Sequence, residues 1–161
     1  MGNTAVIYNP QKVDKSRLQT AVDTALARAG MRKAHYFPTT ENDHGGPQAK
    51  QALADGAKLI LVAGGDGTIR SVVQEIIYTD AELGIIPIGT GNVLARNLSI
   101  PLGNLSRAAL KAVVGETHRI DVGRVTYEPA SRGPTGTAIF TVMVRAGRRR
   151  PSVRGAARRT A

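Results

Sequence analysis

Lys58-Leu59-Ile60-Leu61-Val62-Ala63-Gly64-Gly65-Asp66-Gly67-Thr68-Ile69 decides the fold. Its first half is a near-continuous apolar run of strand length, the pattern of a strand buried on both faces of a parallel sheet. Its second half breaks at once into glycines. Beyond them Ile69, Val72, Val73, Ile76 and Ile77 recur at spacings of three and four, one face of an amphipathic helix. A buried strand entering a helix through a glycine loop is the unit from which open α/β sheets are built.

The same alternation continues on both sides. Upstream, residues 4–9 form a β-branched run closed by Asn9-Pro10, a strand ended by a turn. Asp14 can cap a helix with apolar positions at Leu18, Val22, Ala25, Leu26 and Ala29, and Gly30 stands where its C-terminal cap is expected. A strand follows at residues 33–37, then a helix opened by Pro47 and closed by Gly56. Downstream, residues 83–88 give another buried strand. Gly89-Thr90-Gly91-Asn92 turns out of it into a short helix through Leu94, Ala95 and Leu98. Residues 105–114, ahead of Gly115, predict a further helix, and residues 119–127 a strand. Residues 137–143 can pair with that strand across a turn at 129–136, as an antiparallel hairpin. The expected fold is α/β: an open, three-layer, mostly parallel sheet with helices on both faces and right-handed crossovers. No internal repeat is present.

Charge and composition narrow the function. The 161 residues carry 22 basic and 12 acidic groups, a net +10, which by itself suggests nucleic acid or anionic lipid as a partner. Seven of the arginines lie in residues 144–161, where there is no acid; the remaining 15 basic and 12 acidic groups leave the rest at +3. That tail has no apolar periodicity and is expected to be disordered. Its functional reading is an anchor for anionic lipid or nucleic acid, and its plain reading a solvated tail; its residue types are also what GC-rich codons yield out of frame. Only 4% of residues are aromatic, so a base-stacking platform is disfavoured, and nucleic acid with it. Cysteine is absent, which excludes disulfides and thiolate zinc sites. The N-terminus lacks a signal-peptide pattern, and residues 59–63, the longest uninterrupted apolar stretch, fall far short of the about 20 needed to span a bilayer. A cytoplasmic protein, at most peripheral to a membrane, is expected.

In an open α/β sheet, ligands bind outside the carboxyl ends of the strands, where both glycine loops lie. Gly64, Gly65 and Gly67 let a phosphate approach the backbone, the helix N-terminus supplies N–H donors, and Thr68 adds a hydroxyl. Asp66 would repel a bare phosphate, so a carboxylate there implies a Mg²⁺-nucleotide. The plain alternative is a tight turn in which Asp66 makes a local hydrogen bond. The loop lacks the Gly-Lys-Ser/Thr of a P-loop and the glycine spacing of a dinucleotide fold, and protein-kinase motifs are missing. His35, His44 and His118 are scattered, with no metal-ligand spacing.

Residues 63–69, Ala-Gly-Gly-Asp-Gly-Thr-Ile, resemble the GGDGT signature of the diacylglycerol kinase, sphingosine kinase and NAD kinase superfamily. Asn9-Pro10 is similar to its opening motif, and Thr39-Thr40 to its nucleotide-contacting threonine. Residues 87–96 look like the bacterial lipid-kinase form of the second loop, and residues 119–123 like the strand leading into the family's second domain. The resemblance implies ATP-dependent phosphorylation of a lipid hydroxyl, with ATP and Mg²⁺ as cofactors and a diacylglycerol-like acceptor. It places the ATP phosphates on Gly64, Gly65, Asp66, Gly67 and Thr68, and Asn9, Thr39 or Thr40, Gly89, Thr90 and Asn92 around the nucleotide. Asp66 is the implied catalytic residue, positioning Mg-ATP and meeting the metal indirectly. As turn and cap residues, Asn9, Thr39, Thr40, Thr90 and Asn92 also have an ordinary reading.

Gly91-Asn92-Val93 departs from the more usual Ala-Asn-Asp, so an acidic contact is missing. The family's second domain, a β-sandwich expected to carry the general base and much of the lipid site, has no counterpart in these residues. The implied organisation is a nucleotide-binding domain at 1–128, a hairpin strand at 129–143 and the arginine-rich tail at 144–161. Homo-oligomers are a candidate assembly. A stand-alone nucleotide-binding module, or an inactive remnant with a binding tail, is the competing class.

Overall fold

The computed structural model describes residues 3–127, 136–141 and 152–154. Its first unit, Met1–Thr117, is built on four strands, β1 (Asn3–Tyr8), β2 (His35–Pro38), β3 (Ala57–Gly64) and β4 (Glu82–Pro87). They lie in the order β2-β1-β3-β4, every neighbouring pair parallel. The registers Tyr8↔Pro38, Tyr8↔Ala63 and Gly64↔Pro87 bring all four carboxyl ends to one edge.

Five helices complete the unit: α1 (Lys15–Arg28), α2 (Gly46–Ala54), α3 (Asp66–Ile76), α4 (Val93–Asn97) and α5 (Leu105–Val114). Successive strand residues face opposite sides, so each apolar run divides between two cores. Val6, Tyr8, Leu61, Ala63 and Ile86 pack with Leu18, Val22, Leu26, Ala108 and Ala109 of α1 and α5. On the opposite face Ile7 adjoins Val72 and Thr68 of α3 around Gly45. With residues 60–63 wholly buried, β3 matches its expected role as a central strand. The expected three-layer α/β architecture is present.

The helix ends follow from the sequence chemistry. Asp14 accepts from Arg17 N and caps α1, while Asn104 does the same for α5 through Arg107 N. Gly30 and Gly56 follow α1 and α2 at φ +64° and +78°, as expected of C-terminal stops. Gly84 on β4 has a packing reason: a Cβ there would lie 2.9 Å from the Ala112 carbonyl of α5, so its absence lets that helix approach the sheet.

The second unit, His118–Ala161, contains a three-stranded antiparallel sheet in the order β6-β5-β7: β5 (Gly123–Tyr127), β6 (Gly136–Phe140) and β7 (Ser152–Arg154). The hairpin pairing of β5 and β6 matches expectation, although β5 starts at Gly123 instead of 119, where its partner Phe140 begins the ladder. The division at 117/118 precedes the domain boundary expected at 128, because β5 bonds to β6 and β7 and so belongs with them. Ser152–Arg154 pair with β5, where the sequence predicted no regular structure; backbone pairing to a strand edge needs no apolar periodicity. The rest of the tail, and the turn expected at 129–136 apart from Gly136, lie outside the described residues. No helix among the described residues is long and apolar enough to cross a membrane.

Candidate functional site

Connections leave β1 toward β2 and leave β3 toward β4, so the order reverses between β1 and β3, and such a reversal opens a crevice at the carboxyl edge. Backbone bonds assemble the loops there. Asn9 N donates to Ala63 O (3.2 Å), Thr39 N to Tyr8 O (2.8 Å) and Ile88 N to Gly64 O (3.1 Å). Asn9, Thr39, Gly64–Thr68 and Gly89–Asn92 are thereby brought to one edge.

The glycines of the two loops have different causes. A Cβ on Gly64 would sit 2.8 Å from Thr68 Cβ, so Gly64 is required by Thr68, which is itself buried. A Cβ on Gly89 would lie 2.8 Å from Gly65 Cα, which means that the two loops touch backbone to backbone. On Gly91 it would meet Asp66 Oδ2 at 3.0 Å. Gly67 alone of the loop glycines would meet nothing within 4 Å. It is exposed, in the first turn of α3.

Asp66 joins the loops. Its Oδ2 accepts from Val93 N (3.1 Å) and its Oδ1 from Leu94 N (3.2 Å), so the carboxylate caps α4 from 27 residues away. Asn92 holds the N-cap position of α4 in a left-handed conformation (φ 48°), but its side chain makes no cap bond; its Nδ2 donates back to Gly89 O. Arg96 Nε donates to Gly91 O (3.0 Å) and closes the second loop from the other side. The local-turn alternative for Asp66 is therefore replaced by a long-range one. Asn92 is 6% exposed, and its Oδ1 has no hydrogen-bond partner.

The helix after the first loop is left without such a cap. Gly65 is the N-cap of α3, no side chain caps it, and the first ladder bond runs from Ile69 N to Gly65 O (3.0 Å). The N–H groups of the first turn thus lack intrahelical acceptors beside the open face of Gly67. Lys12 Nζ lies 3.9 Å from the Cβ position of Gly65.

The remaining expected residues divide. Asn9 Oδ1 accepts from Gln11 N (2.9 Å), a turn-shaping bond. Thr39 is buried, whereas Thr40 is exposed and its hydroxyl donates to Asp43 Oδ2 (2.6 Å). That hydroxyl is the main reason the Asp43 carboxyl is held below its ordinary range, and Gly45 N also donates to it (3.2 Å). Thr90 is exposed at the second loop. Lys12, Asp43 and Arg96 were not expected at the site. A cation three residues after Asn9, in the turn that Asn-Pro opens, was a signal for Lys12, while the other two act through contacts that no local pattern announces. Among the described residues no group of three or more His, Asp or Glu side chains is placed to hold a metal.

Residues 3–125 match the diacylglycerol kinase catalytic domain. A diacylglycerol kinase of Mycobacterium tuberculosis is 45% identical over 90 residues, 56% of this chain and 29% of that protein. One from Bacillus subtilis is 35% identical over 130 residues, 78% of this chain and 42% of that protein. In structure, a diacylglycerol kinase from Bacillus anthracis superposes with a TM-score of 0.64 at 28% identity, covering 76% of this chain and 42% of the other. The chain thus spans less than half the length of these relatives. With the GGDGT loop, the second glycine loop and the strand order all inside the matched region, the chain belongs to the diacylglycerol kinase catalytic-domain family.

Proposed function

We propose that this chain binds Mg-ATP at the carboxyl edge between β1 and β3, as the nucleotide-binding half of a kinase that transfers the terminal phosphoryl group to a lipid hydroxyl of the diacylglycerol type. The observation that carries the reading is the N-terminus of α3, where uncapped N–H groups meet the open face of Gly67. An anion seated there gains backbone donors and the positive end of the helix. Thr39, Asn92 and Thr90 line the approach for the rest of the nucleotide.

Mg²⁺ fits the residues as a metal carried on the phosphates. No three-ligand protein cage is available among the described residues, and Asp66 keeps lone pairs beyond the two N–H bonds it accepts. Asp66 would reach the ion through water, and the ion would neutralise charge on the phosphates. Asp66 therefore has two roles, fixing the second loop and facing the metal. The proposed setting is the cytoplasm, with peripheral contact to the membrane that holds the acceptor; a homo-oligomer is compatible with this reading.

The competing reading, a nucleotide-binding module without transfer activity, draws on the share of its relatives that the chain covers, which is under half. Titration with ATP, ADP and adenosine in Mg²⁺, followed by calorimetry, tests the site itself. Affinity should fall in that order. Equal affinity for ATP and adenosine would remove the phosphate cradle from α3 and overturn the proposal.

A further inference from the structure

We propose that Lys111 of α5 is a positioning residue for the second glycine loop, acting through the far end of α4; the role rests on the nucleotide reading above. The second loop leads directly into α4, so a shift of that short helix displaces the loop with it. Asp66 holds the N-terminal end of α4, and Leu94 and Ala95 bury its inner side. The C-terminal end lies on the surface, with Arg96, Asn97, Leu98 and Ser99 all exposed. Five residues supply too few ladder bonds to keep that end closed by themselves.

A Schellman motif closes it. Ile100 N donates to Ala95 O (2.9 Å) and Ser99 N to Arg96 O (3.0 Å), the two bonds that define such a cap. The motif needs a left-handed residue just past the helix, a place usually taken by glycine. Here it is Ser99, at φ 52°. A residue with a side chain is strained in that region, so the closed end of α4 is less stable than it would be with glycine. Lys111 offsets the strain. Its ammonium donates to Ser99 O (2.9 Å), a charge-assisted bond that fixes the left-handed peptide. The anchor is firm, because Ala108 and Ala109 of the same helix are buried in the core against the sheet. Arg96 Nε, donating to Gly91 O (3.0 Å), carries the constraint from the body of α4 back to the second loop. Without Lys111 the strain at Ser99 is uncompensated, and the end of α4 opens in part of the population. Only the closed fraction presents Thr90 and Asn92 to a nucleotide, and apparent affinity falls with that fraction.

The test compares the full chain with Lys111→Ala, Ser99→Gly and the double variant, titrating ATP and adenosine in Mg²⁺ well below the melting transition. Lys33→Ala, which removes the same charge from an exposed position between α1 and β2, is the control. Lys111→Ala should bind ATP about two- to fivefold more weakly. Adenosine should lose a similar factor, because the second loop serves the part of the nucleotide beyond the phosphates. Ser99→Gly should bind like the parent, and the double variant should recover the parent's affinity. Hydrogen exchange over residues 93–100 should quicken in Lys111→Ala and return to the parent's rate in the double variant. A role confined to overall stability would lower the melting temperature and leave affinity in the folded protein unmoved.

Unchanged ATP affinity in Lys111→Ala, with a parent that prefers ATP to adenosine, overturns the inference and leaves the nucleotide site intact. A loss that Ser99→Gly does not repair, or one that Lys33→Ala shares, overturns it as well, since the lysine then acts by a route other than α4. A parent that does not distinguish ATP from adenosine removes the nucleotide reading, and this inference with it.

Discussion

A methyl group added at Gly64 and one added at Gly67 meet opposite surroundings. The first would stand 2.8 Å from Thr68 Cβ and 3.0 Å from its hydroxyl, while the second meets nothing within 4 Å. Gly64→Ala should therefore destabilise the protein by about 1–3 kcal/mol through overpacking. Gly67→Ala should leave stability unchanged or raise it by up to about 1 kcal/mol, since alanine is the better helix former. Its methyl group occupies the face where a phosphate would approach, so ATP affinity should fall several-fold while adenosine binding holds. Urea melts and nucleotide titrations of the two variants check this pair; a Gly67→Ala protein that binds ATP like the parent removes phosphate from that face. The signature was legible in the sequence as a set of three glycines serving one ligand. The division of labour among them was not, because it depends on Thr68 folding back over Gly64 and on Gly89 arriving from 24 residues further along the chain.

At the level of elements, α4 shows what pattern reading reaches and what it misses. Leu94, Ala95 and Leu98 predicted a short helix, and α4 is observed over Val93–Asn97. Five residues are far too few to hold a helix in water unaided, so its stability has to come from outside. Asp66 supplies it, with a bond to each of the first two N–H groups. Local reading looks for caps at the adjoining residues and assigned that role to Thr90 or Asn92. Neither could be excluded without seeing Asn92 turn back to Gly89. Asp66→Ala should cost about 0.5–2 kcal/mol of stability, the range for a lost cap. It should also weaken ATP binding in EDTA, where the second loop loses its tether, and weaken it further with Mg²⁺, where the facing of the metal is lost as well. Asp66→Asn keeps one acceptor oxygen but points an amide N–H at a backbone N–H, so it should behave similarly. If either variant weakens binding only when Mg²⁺ is present, Asp66 acts through the metal and its tether is immaterial to the site.

For the whole molecule, the strand order was within reach of the sequence as a class, since alternating strands and helices with buried apolar runs specify an open parallel sheet. The division at 117/118 was not, because Arg119–Tyr127 reads as one strand and only the pairing partners of β5 assign it to the second unit. Every residue placed in the proposed nucleotide site belongs to the first unit, Met1–Thr117. Deleting residues 144–161 should therefore leave ATP affinity within about twofold of the parent's, as titration of the shortened chain would show. Transfer is a larger demand than binding. The acceptor hydroxyl must be held in line with the terminal phosphate, and a base must take its proton. At the carboxyl edge Asp66 is engaged with α4, and Asp43 is engaged by Thr40 and Gly45, with its carboxyl held below the ordinary range. A carboxylate that holds its proton more weakly is a poorer base. The match covers less than half of each relative that shares this domain, so the acceptor site and base of those proteins have room outside the matched region. The expected outcome is that the 161-residue chain binds nucleotide but forms little lipid product. Radiolabelled ATP with diacylglycerol in detergent micelles provides the measurement, with Asp66→Ala as the control. Robust phospholipid formation by the parent, abolished in that variant, would show that a base and an acceptor site are already complete within this chain.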